Sequence, residues 1–258
     1  MTPTGTKLLN HLDAMRCVSC SEHLELSESG LHCLGCGQRF PISDDVPFLL
    51  DSHDSASQEL AGHMEALFRF PAFYWLKINL LLKLNKTDDL DLRDYLLQKA
   101  VLDVGCGPFY YGYDATLASS IVGLDLSRQF VRAMNERDPK NLYLVANAKK
   151  IPFTRKSFDV SFLRYVIHHI PGDTSQLLAE VARVTRQYLI IFDHVRSDVP
   201  WQRAIQTTYW KSFDSGHHYN TMGEWNELLR PYKVAAFRRT GRMFGNICQI
   251  ILDLRGRD

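Results

Sequence analysis

Seven short apolar runs in the second part of the chain alternate with segments of helical character. From Lys99 onward they read AVLDVG, SIVGLDLS, NLYLVA, FDVSFL, YLIIFD, YKVAAFRR and NICQIILDL. Strands that are buried on both faces of a parallel sheet have such near-continuous apolar sequences. The pattern predicts an α/β fold, a Rossmann-like seven-stranded and mostly parallel sheet with helices on both faces. The last two runs lie close together, which favours an antiparallel pair at one edge.

The rest of the chain divides into two parts by composition. Residues 1–52 are rich in cysteine, glycine and polar residues and end in GQRFPISDDVPFLL, which predicts a small module of short strands and turns. Residues 53–98 have apolar positions at helical intervals and predict a helical connector. Its stretch FPAFYWLKINLLLKL is interpreted either as a lid over an apolar acceptor or as ordinary core. Residues 99–258 hold the predicted sheet.

Four cysteines in the first module have the spacing of metal ligands. Cys17 and Cys20 form one CxxC pair, and Cys33 and Cys36 form the second, with twelve residues between the pairs. Four thiolates satisfy a tetrahedral Zn²⁺ and leave no open position, so we expect a structural zinc ribbon rather than a catalytic metal. The alternative is a redox-active CxxC, which either pair alone would permit.

Charge and hydropathy constrain the partners and the compartment. The 30 Lys and Arg residues almost balance the 29 Asp and Glu residues, so no whole-protein field favours nucleic acid. No apolar run approaches the roughly 18 residues of a membrane span, and the first residues do not resemble an export signal. The expectation is therefore a cytoplasmic protein without a membrane span.

The stretch VLDVGCGPFYY predicts a strand followed by a glycine turn, the floor of a ligand site in a doubly wound sheet. Gly105 and Gly107 allow backbone to approach a ligand closely. A dinucleotide site wants a third glycine where Tyr110 stands, and a P-loop needs Lys-Ser or Lys-Thr after the glycines. Both sequence features are missing, so the turn favours a nucleoside without phosphates.

Two acidic residues are placed to hold such a nucleoside. Asp125 follows the glycine turn by roughly the 20 residues at which a ribose-binding acid is found. Asp103, at the end of the first strand, is placed to meet an ammonium group. A ligand with a ribose diol at one end and an amino acid at the other is S-adenosylmethionine. The alternative role of both carboxylates is helix capping.

The segments VLDVGCG, IVGLDLS, NAKKIPFTRKSFDVSFLRYVIHHI and EVARVTR resemble, in order and spacing, the motifs of class I S-adenosylmethionine-dependent methyltransferases of the type 11 kind. The resemblance covers about residues 99–195. It implies these cofactor contacts: Asp103, Gly105 and Gly107 at the methionine end, Asp125 and Leu126 at the ribose, Asn147 and Ala148 at the adenine, and Arg164 closing the pocket.

Three positions depart from that family's pattern. Phe109 replaces the usual third glycine, Asn147 replaces the acid that faces the adenine amino group, and the turn before the fifth strand is shortened to RQ. The carbonyl of Asn147 still accepts a hydrogen bond, so we expect weaker rather than lost binding. Phe109, Tyr110, Tyr111 and Tyr113 are interpreted either as aromatic faces around the sulfonium or as core.

The N-terminal cysteine module resembles the small zinc-ribbon partner subunit of certain tRNA and release-factor methyltransferases, fused here into one chain. In that pattern a glycine usually stands at the position of Asp45. The resemblance implies structural Zn²⁺ held by the four cysteines.

Three histidines are candidates for accepting a proton from the methyl acceptor. His168 follows the fourth predicted strand, and His217 and His218 lie in a glycine-containing segment before a helix. For each, the alternative is a structural role. The preferred function is methyl transfer to oxygen or carbon of a small-molecule, lipid-like or sugar acceptor. An RNA methyltransferase and a non-enzymatic scaffold are the alternatives.

Overall fold

A computed structural model describes residues 3–51, 62, 76, 90–108, 113–213, 216, 218–240 and 246–257. Within these residues the α-helices are α1 Pro3–Leu9, α2 Arg93–Leu96, α3 Arg128–Arg137, α4 Thr174–Val184, α5 Pro200–Phe213 and α6 Met222–Leu229. The strands are β1 Leu24–Ser27, β2 Gly30–Cys33, β3 Arg39–Ser43, β4 Val46–Leu49, β5 Ala100–Val104, β6 Ser120–Asp125, β7 Leu142–Ala146, β8 Phe158–Arg164, β9 Thr185–His194, β10 Lys233–Thr240 and β11 Ile247–Asp253.

All these strands join one sheet in the order β1-β2-β3-β4-β7-β6-β5-β8-β9-β11-β10. The five strands β5 to β9 run parallel, and β11 and β10 follow β9 as an antiparallel pair. The seven predicted strands are thereby confirmed, including the antiparallel pair at the edge. The predicted total of seven strands is wrong, because the sheet has eleven.

The four additional strands come from the N-terminal module. Its last strand, β4, pairs in parallel with β7, where Phe48 lies opposite Val145 and Leu49 opposite Ala146. This pairing covers an edge of the parallel sheet that would otherwise expose unpaired backbone groups. Short runs such as VPFL give no sequence signal of which distant strand they will join, so the count was underestimated.

A tight hairpin fixes how β4 reaches the sheet. Ser43 pairs with Val46, and the two residues between them, Asp44 and Asp45, both have positive φ, at 51° and 58°. That conformation belongs to a type I′ turn, which Asp tolerates better than most residues. The Arg128 guanidinium donates to the Asp44 carboxylate at 2.5 Å and so ties the hairpin to the start of α3. Asp45 therefore fills the position where the related pattern has glycine.

Buried side chains cover both faces of the central strands. Along β5, Leu102 and Val104 pack on the face that α4 covers, whereas Val101 packs on the opposite face with Leu96 of α2. The first core continues into the N-terminal module, whose contributors include Leu24, Leu31 and Phe40. The prediction of helices on both faces is confirmed.

Side chains cap the beginnings of two helices. The Asp173 side chain accepts from the Ser175 N–H and begins α4. Thr221 and Glu224 form a reciprocal capping box at α6.

Of the predicted connector, Gly62, Leu76 and residues 90–98 are described, so the lid interpretation lies outside the described residues. The division into residues 1–52, 53–98 and 99–258 stays a prediction.

No helix in the described part of the chain is both long enough and apolar enough to cross a membrane.

Candidate functional site

The glycine turn lies at the carboxyl-terminal end of β5, between β5 and β6. Gly105 has φ +71° and Gly107 has φ +58°, conformations that favour glycine. A Cβ atom at Gly105 would overlap the Val166 side chain. The Gly105 and Cys106 N–H groups both donate to the Leu124 carbonyl, at 2.7 and 3.0 Å, and hold the turn against β6. This arrangement requires glycine at the positions where the sequence predicted a cradle.

Asp125 ends β6 and faces this turn. Its carboxylate accepts from the Gly107 N–H at 3.1 Å and from the Ser127 N–H at 2.8 Å. Burial raises the pKa of Asp125 to about 6, and the backbone N–H groups of Ser127, Gly107 and Leu126 oppose that rise. Backbone N–H groups thus orient the Asp125 carboxylate, but they do not fully offset the cost of burying its charge.

Asp103 lies on the neighbouring strand β5 and is 5% exposed. The Tyr113 hydroxyl donates to its carboxylate at 2.8 Å. Burial raises the pKa of Asp103 to about 6, against the opposing effects of the Tyr113 hydrogen bond and the Arg164 charge. The Tyr113 ring stacks on Phe162 with centroids 4.7 Å apart, so this ring both packs in the core and contacts the site. Phe109, Tyr110 and Tyr111 lie outside the described residues.

The predicted adenine side of the site follows β7. The Asn147 side-chain oxygen accepts from the Lys149 N–H at 2.8 Å, which fixes the turn after the strand. Ala148 is buried beside it. The Asn147 oxygen is therefore engaged in holding this turn.

Arg164, at the end of β8, is buried among aromatic rings. Its guanidinium carbon lies 4.9 Å from the Phe192 ring centroid and 5.5 Å from that of Tyr165. Tyr165 has φ +54°, which is unusual for a bulky residue and is found at sites where backbone strain serves a function. The Arg164 charge acts on Asp103 and opposes the rise of the Asp103 pKa.

A second polar pair lies at the same edge, two strands away. His168 Nδ1 and the Asp193 carboxylate are 2.6 Å apart, and their side chains are only 1% and 2% exposed. Asp193 also accepts from the Ile167 N–H at 2.9 Å and from the His194 N–H at 2.6 Å. Burial opposes ionisation of Asp193, but the combined effects of His168 and His194 outweigh it and hold the Asp193 pKa below its usual range.

The remaining predicted histidines have different surroundings. His217 lies outside the described residues. His218 is exposed, and its Nε2 lies 2.8 Å from the Asn220 side-chain oxygen. The His218 backbone N–H, not its ring, reaches the His168 carbonyl at 3.1 Å. The structure thus brings this segment over His168 and leaves the His218 ring apart from Asp193.

Aromatic rings surround the His168 ring. Tyr219 stacks on it with centroids 5.2 Å apart, and Trp210 stacks on Tyr219 at 4.2 Å. His194 contacts His168 at 4.8 Å. A Cβ atom at Gly216 would come within 2.6 Å of the His168 ring, so Gly216 lies directly against it.

The four predicted metal ligands converge in the N-terminal module. The sulfur atoms of Cys17, Cys20, Cys33 and Cys36 all lie within 4.8 Å of one another. The Cys17–Cys36 and Cys20–Cys33 sulfur distances are 3.7 and 3.3 Å. Sulfurs around a tetrahedral Zn²⁺ with Zn–S bonds of about 2.3 Å are about 3.8 Å apart. The cluster has the donor set and nearly the spacing of a Cys₄ zinc site.

Residues 102–191 match the protein family described as a methyltransferase domain. The matched residues run from β5 to β9.

Proteins similar to this chain in sequence are consistent with the match to the methyltransferase-domain family. A malonyl-[acyl-carrier protein] O-methyltransferase of Hamiltonella defensa is 25% identical over 161 residues, which cover 60% of this chain and 61% of the relative. The chain spans less than two thirds of the length of the curated relatives that it matches.

Two solved structures share the fold. An S-adenosylmethionine-dependent methyltransferase of Methanosarcina mazei is 19% identical, with TM-score 0.52, over 64% of this chain and 98% of that chain. A structure from Haloferax volcanii, a complex between the Trm112 methyltransferase activator and a methyltransferase, matches at 15% identity and TM-score 0.52. It covers 80% of this chain and 99% of that chain.

Asp193 is a polar residue at the carboxyl-terminal edge of the sheet that the sequence interpretation missed. The signal was present, because Asp193 follows the apolar run YLIIF much as Asp103 and Asp125 lie near the ends of theirs. An acid at the carboxyl end of a parallel strand lies at the ligand edge of the sheet. The same rule applied to all five strands would have found it.

Proposed function

We propose that the chain is an S-adenosylmethionine-dependent methyltransferase. The observation that carries the proposal is the pair Asp103 and Asp125, a buried and a half-buried carboxylate on adjacent strand ends that flank a glycine turn. Burial raises the pKa of each to about 6, so both gain stability from a ligand that brings a cation or hydroxyl donors. S-adenosylmethionine brings both, at opposite ends.

In this proposal each residue of the site contacts a different part of the cofactor. Asp125 accepts hydrogen bonds from the two ribose hydroxyls, and such charge-assisted bonds are about twice as strong as neutral ones. Asp103 receives the ammonium group, directly or through water. Gly105 and Gly107 let the backbone approach the methionine end, and Asn147 with Ala148 borders the adenine. The cofactor, when bound, supplies the activated methyl group on its sulfonium.

Calorimetric titration with S-adenosylmethionine tests cofactor binding. We expect a micromolar complex for the natural chain and about 100-fold weaker binding for Asp125→Asn, since two hydrogen bonds to a charged group are worth about 1.5–3 kcal/mol each. Asp198→Asn, an exposed aspartate, is the matched control and should bind normally. The absence of heat with the natural chain at high micromolar cofactor would support a non-enzymatic scaffold instead.

We place methyl transfer on oxygen or carbon of a small-molecule, lipid-like or sugar acceptor. The near-zero net charge supports such an acceptor, and the relative named an O-methyltransferase supports oxygen. Labelled cofactor incubated with cell extract, with and without nuclease, tests this class. Label in a nuclease-resistant small-molecule or lipid fraction is the expected result, and label in a nuclease-sensitive fraction would assign RNA and overturn it.

Of the three candidate histidines, we assign proton acceptance to His168. Its ring has a buried carboxylate partner, and a carboxylate that holds one ring nitrogen orients the other and stabilises the imidazolium. Because His168 is covered by Gly216 and Tyr219, an acceptor reaches Nε2 only when that cover is displaced.

Turnover of a hydroxyl acceptor tests this role. We expect His168→Gln to lower kcat about 100-fold, the lower range for a general base, with unchanged cofactor affinity. The pH dependence of kcat should lose one limb. His218→Gln is the matched control, and a larger loss there would transfer the role to that segment.

We propose that Cys17, Cys20, Cys33 and Cys36 hold one structural Zn²⁺. The Ser19 and Gly35 N–H groups point at the Cys17 and Cys33 sulfurs, at 3.4 and 3.3 Å, as thiolate ligands require. One zinc per chain is expected by metal analysis, with loss in Cys20→Ser and retention in Cys248→Ser, whose sulfur lies outside the cluster. Full metal retention in Cys20→Ser would contradict the assignment.

A further inference from the structure

A cleft lined partly by basic and hydroxyl side chains lies at the opposite end of the strands from the proposed cofactor site. It has a volume of about 810 Å³ and is lined at the amino-terminal ends of β6 and β7 by Ser120 and Leu142. The connection before β6 and the turn between α3 and β7 form two of its walls. Lys7, Asn10 and His11 of the N-terminal module form the third. We propose that this cleft binds a phosphate-bearing ligand.

The charge of the cleft favours an anion. Lys7, Arg137 and Lys140 line it together with His11, against the single carboxylate of Asp138. That carboxylate is held by internal donors, the Lys140 N–H at 3.2 Å, the Asn141 amide at 2.7 Å and the Tyr143 hydroxyl at 2.8 Å. Several basic side chains therefore line a cleft whose one acidic residue is held by hydrogen bonds to neighbouring groups of the chain.

Two of these basic groups are held partly away from water. Lys7 and His11 are half-buried, and burial lowers the pKa of both. For Lys7, the charges of Asp138 and Asp45 oppose that effect without cancelling it. A bound anion would compensate the lost hydration of both groups, which is the energetic reason for a ligand here.

The remaining lining indicates the class of ligand. Hydroxyl and amide groups come from Thr116, Ser119, Ser120 and Asn10, and His11 supplies the one ring among the residues lining the cleft. Without further rings there is little surface on which a nucleobase would stack. The volume lies within the 300–1,000 Å³ of ordinary ligand sites. Recognition thus rests on the phosphoryl group of a small ligand such as a sugar phosphate.

The test uses inorganic pyrophosphate as the probe and needs neither cofactor nor acceptor, so it is independent of the proposed activity. The His11 ring resonance, identified with His11→Gln, is titrated by NMR with and without millimolar pyrophosphate. The expected result is a raised His11 pKa and saturable binding. An unchanged His11 titration would overturn the site.

A pair of matched variants locates the binding. Lys7→Gln with Lys140→Gln should weaken pyrophosphate binding at least about tenfold, because each removes a hydrogen bond to a charged group. Arg132→Gln with Arg230→Gln removes the same charge from exposed positions outside the cleft and should leave binding unchanged. Equal weakening in both pairs would reduce the effect to net charge and overturn the proposal.

A third arm distinguishes the source of the phosphoryl group. A short single-stranded RNA presents the same chemistry on a backbone, and its binding weakens steeply with salt. Pyrophosphate binding without RNA binding assigns a small ligand. RNA binding that is sensitive to Lys7→Gln with Lys140→Gln assigns the phosphoryl group to a nucleic-acid backbone, and the cleft keeps its phosphate-binding role.

Discussion

Three carboxylates lie at the same edge of the sheet, Asp103 and Asp193 buried and Asp125 half-buried, but they differ in where their partners come from. Asp103 and Asp125, on adjacent strands, have a pKa raised to about 6 because burial outweighs their hydrogen bonds. Asp193, two strands from Asp103, has a pKa below its usual range because the combined effects of His168, 2.6 Å away, and His194 outweigh burial. Groups of the chain itself stabilise the ionised Asp193 carboxylate. For Asp103 and Asp125, a bound ligand would have to supply that stabilisation.

This difference separates two roles that burial alone does not distinguish. A carboxylate with an internal hydrogen-bond partner stabilises the fold or orients that partner. Two carboxylates whose charges few internal groups stabilise lower the stability of the protein without ligand. The protein regains that stability when a ligand binds them. The comparison predicts that changes at Asp193 act on folding and that changes at Asp103 and Asp125 act on binding.

The largest expected effect is on folding, from Asp193→Ala. Removing one partner of a buried pair leaves the other uncompensated, so we expect the free energy of unfolding to fall by about 3–5 kcal/mol. Urea denaturation of the natural chain, this variant and the exposed control Asp198→Asn measures it. A loss below about 1 kcal/mol would mean that His168 and Asp193 are not coupled in the fold.

The second effect is the pH dependence of stability without cofactor. Because the folded pKa values of Asp103 and Asp125 are raised, the native state binds more protons than the unfolded state between about pH 4 and pH 6. The free energy of unfolding should therefore fall as pH rises through that range, by up to about 1.4 kcal/mol per unit for each carboxylate.

Asp193 contributes with the opposite sign. Its lowered pKa stabilises the fold above the ordinary aspartate range, and that stabilisation is lost as pH falls through its folded pKa. Denaturation of Asp103→Asn with Asp125→Asn, followed from pH 4 to 7, should show the falling component removed. An identical pH profile in the double variant would contradict the raised pKa values.

The third effect is on cofactor affinity. If binding requires the Asp125 carboxylate to be ionised, the cofactor dissociation constant should be flat above about pH 6 and rise about tenfold per unit below it. Calorimetry at pH 5, 6 and 7 measures this, with Asp125→Asn expected to bind weakly and without that dependence. Affinity that is constant from pH 5 to 7 in the natural chain would break the comparison.

The smallest expected effect comes from Tyr113→Phe. It removes the hydrogen bond to Asp103 and keeps the stack on Phe162, so we expect a loss of about 0.5–1.5 kcal/mol in the free energy of unfolding. The Asp103 pKa should rise further. Tyr188→Phe is a matched control on β9, away from the site. No change in either quantity would remove Tyr113 from the account.

Much of this arrangement could be predicted from the sequence because it depends on local patterns. The strands β5 to β11 follow from apolar runs, and Asp103, Gly105, Gly107 and Asp125 follow from their positions at strand ends. The spacing of the four cysteines likewise predicted that they lie together in the fold.

Pairings between distant segments could not be predicted in this way. The joining of β4 to β7 depends on the docking of the whole module through Arg128 and a shared core. The Asp193–His168 pair depends on the parallel pairing of β8 with β9, which brings the segment after β8 against the end of β9. A short strand and a single acid give no indication of their partners until the fold brings them together.

The most direct test of the central claim is a crystal structure with S-adenosylhomocysteine, the demethylated cofactor. The account predicts the ribose hydroxyls within about 2.5–3.0 Å of the Asp125 carboxylate, as for O–H···O⁻ bonds, and the amino group near Asp103. A nucleoside bound elsewhere, or one whose ribose does not contact Asp125, would contradict it.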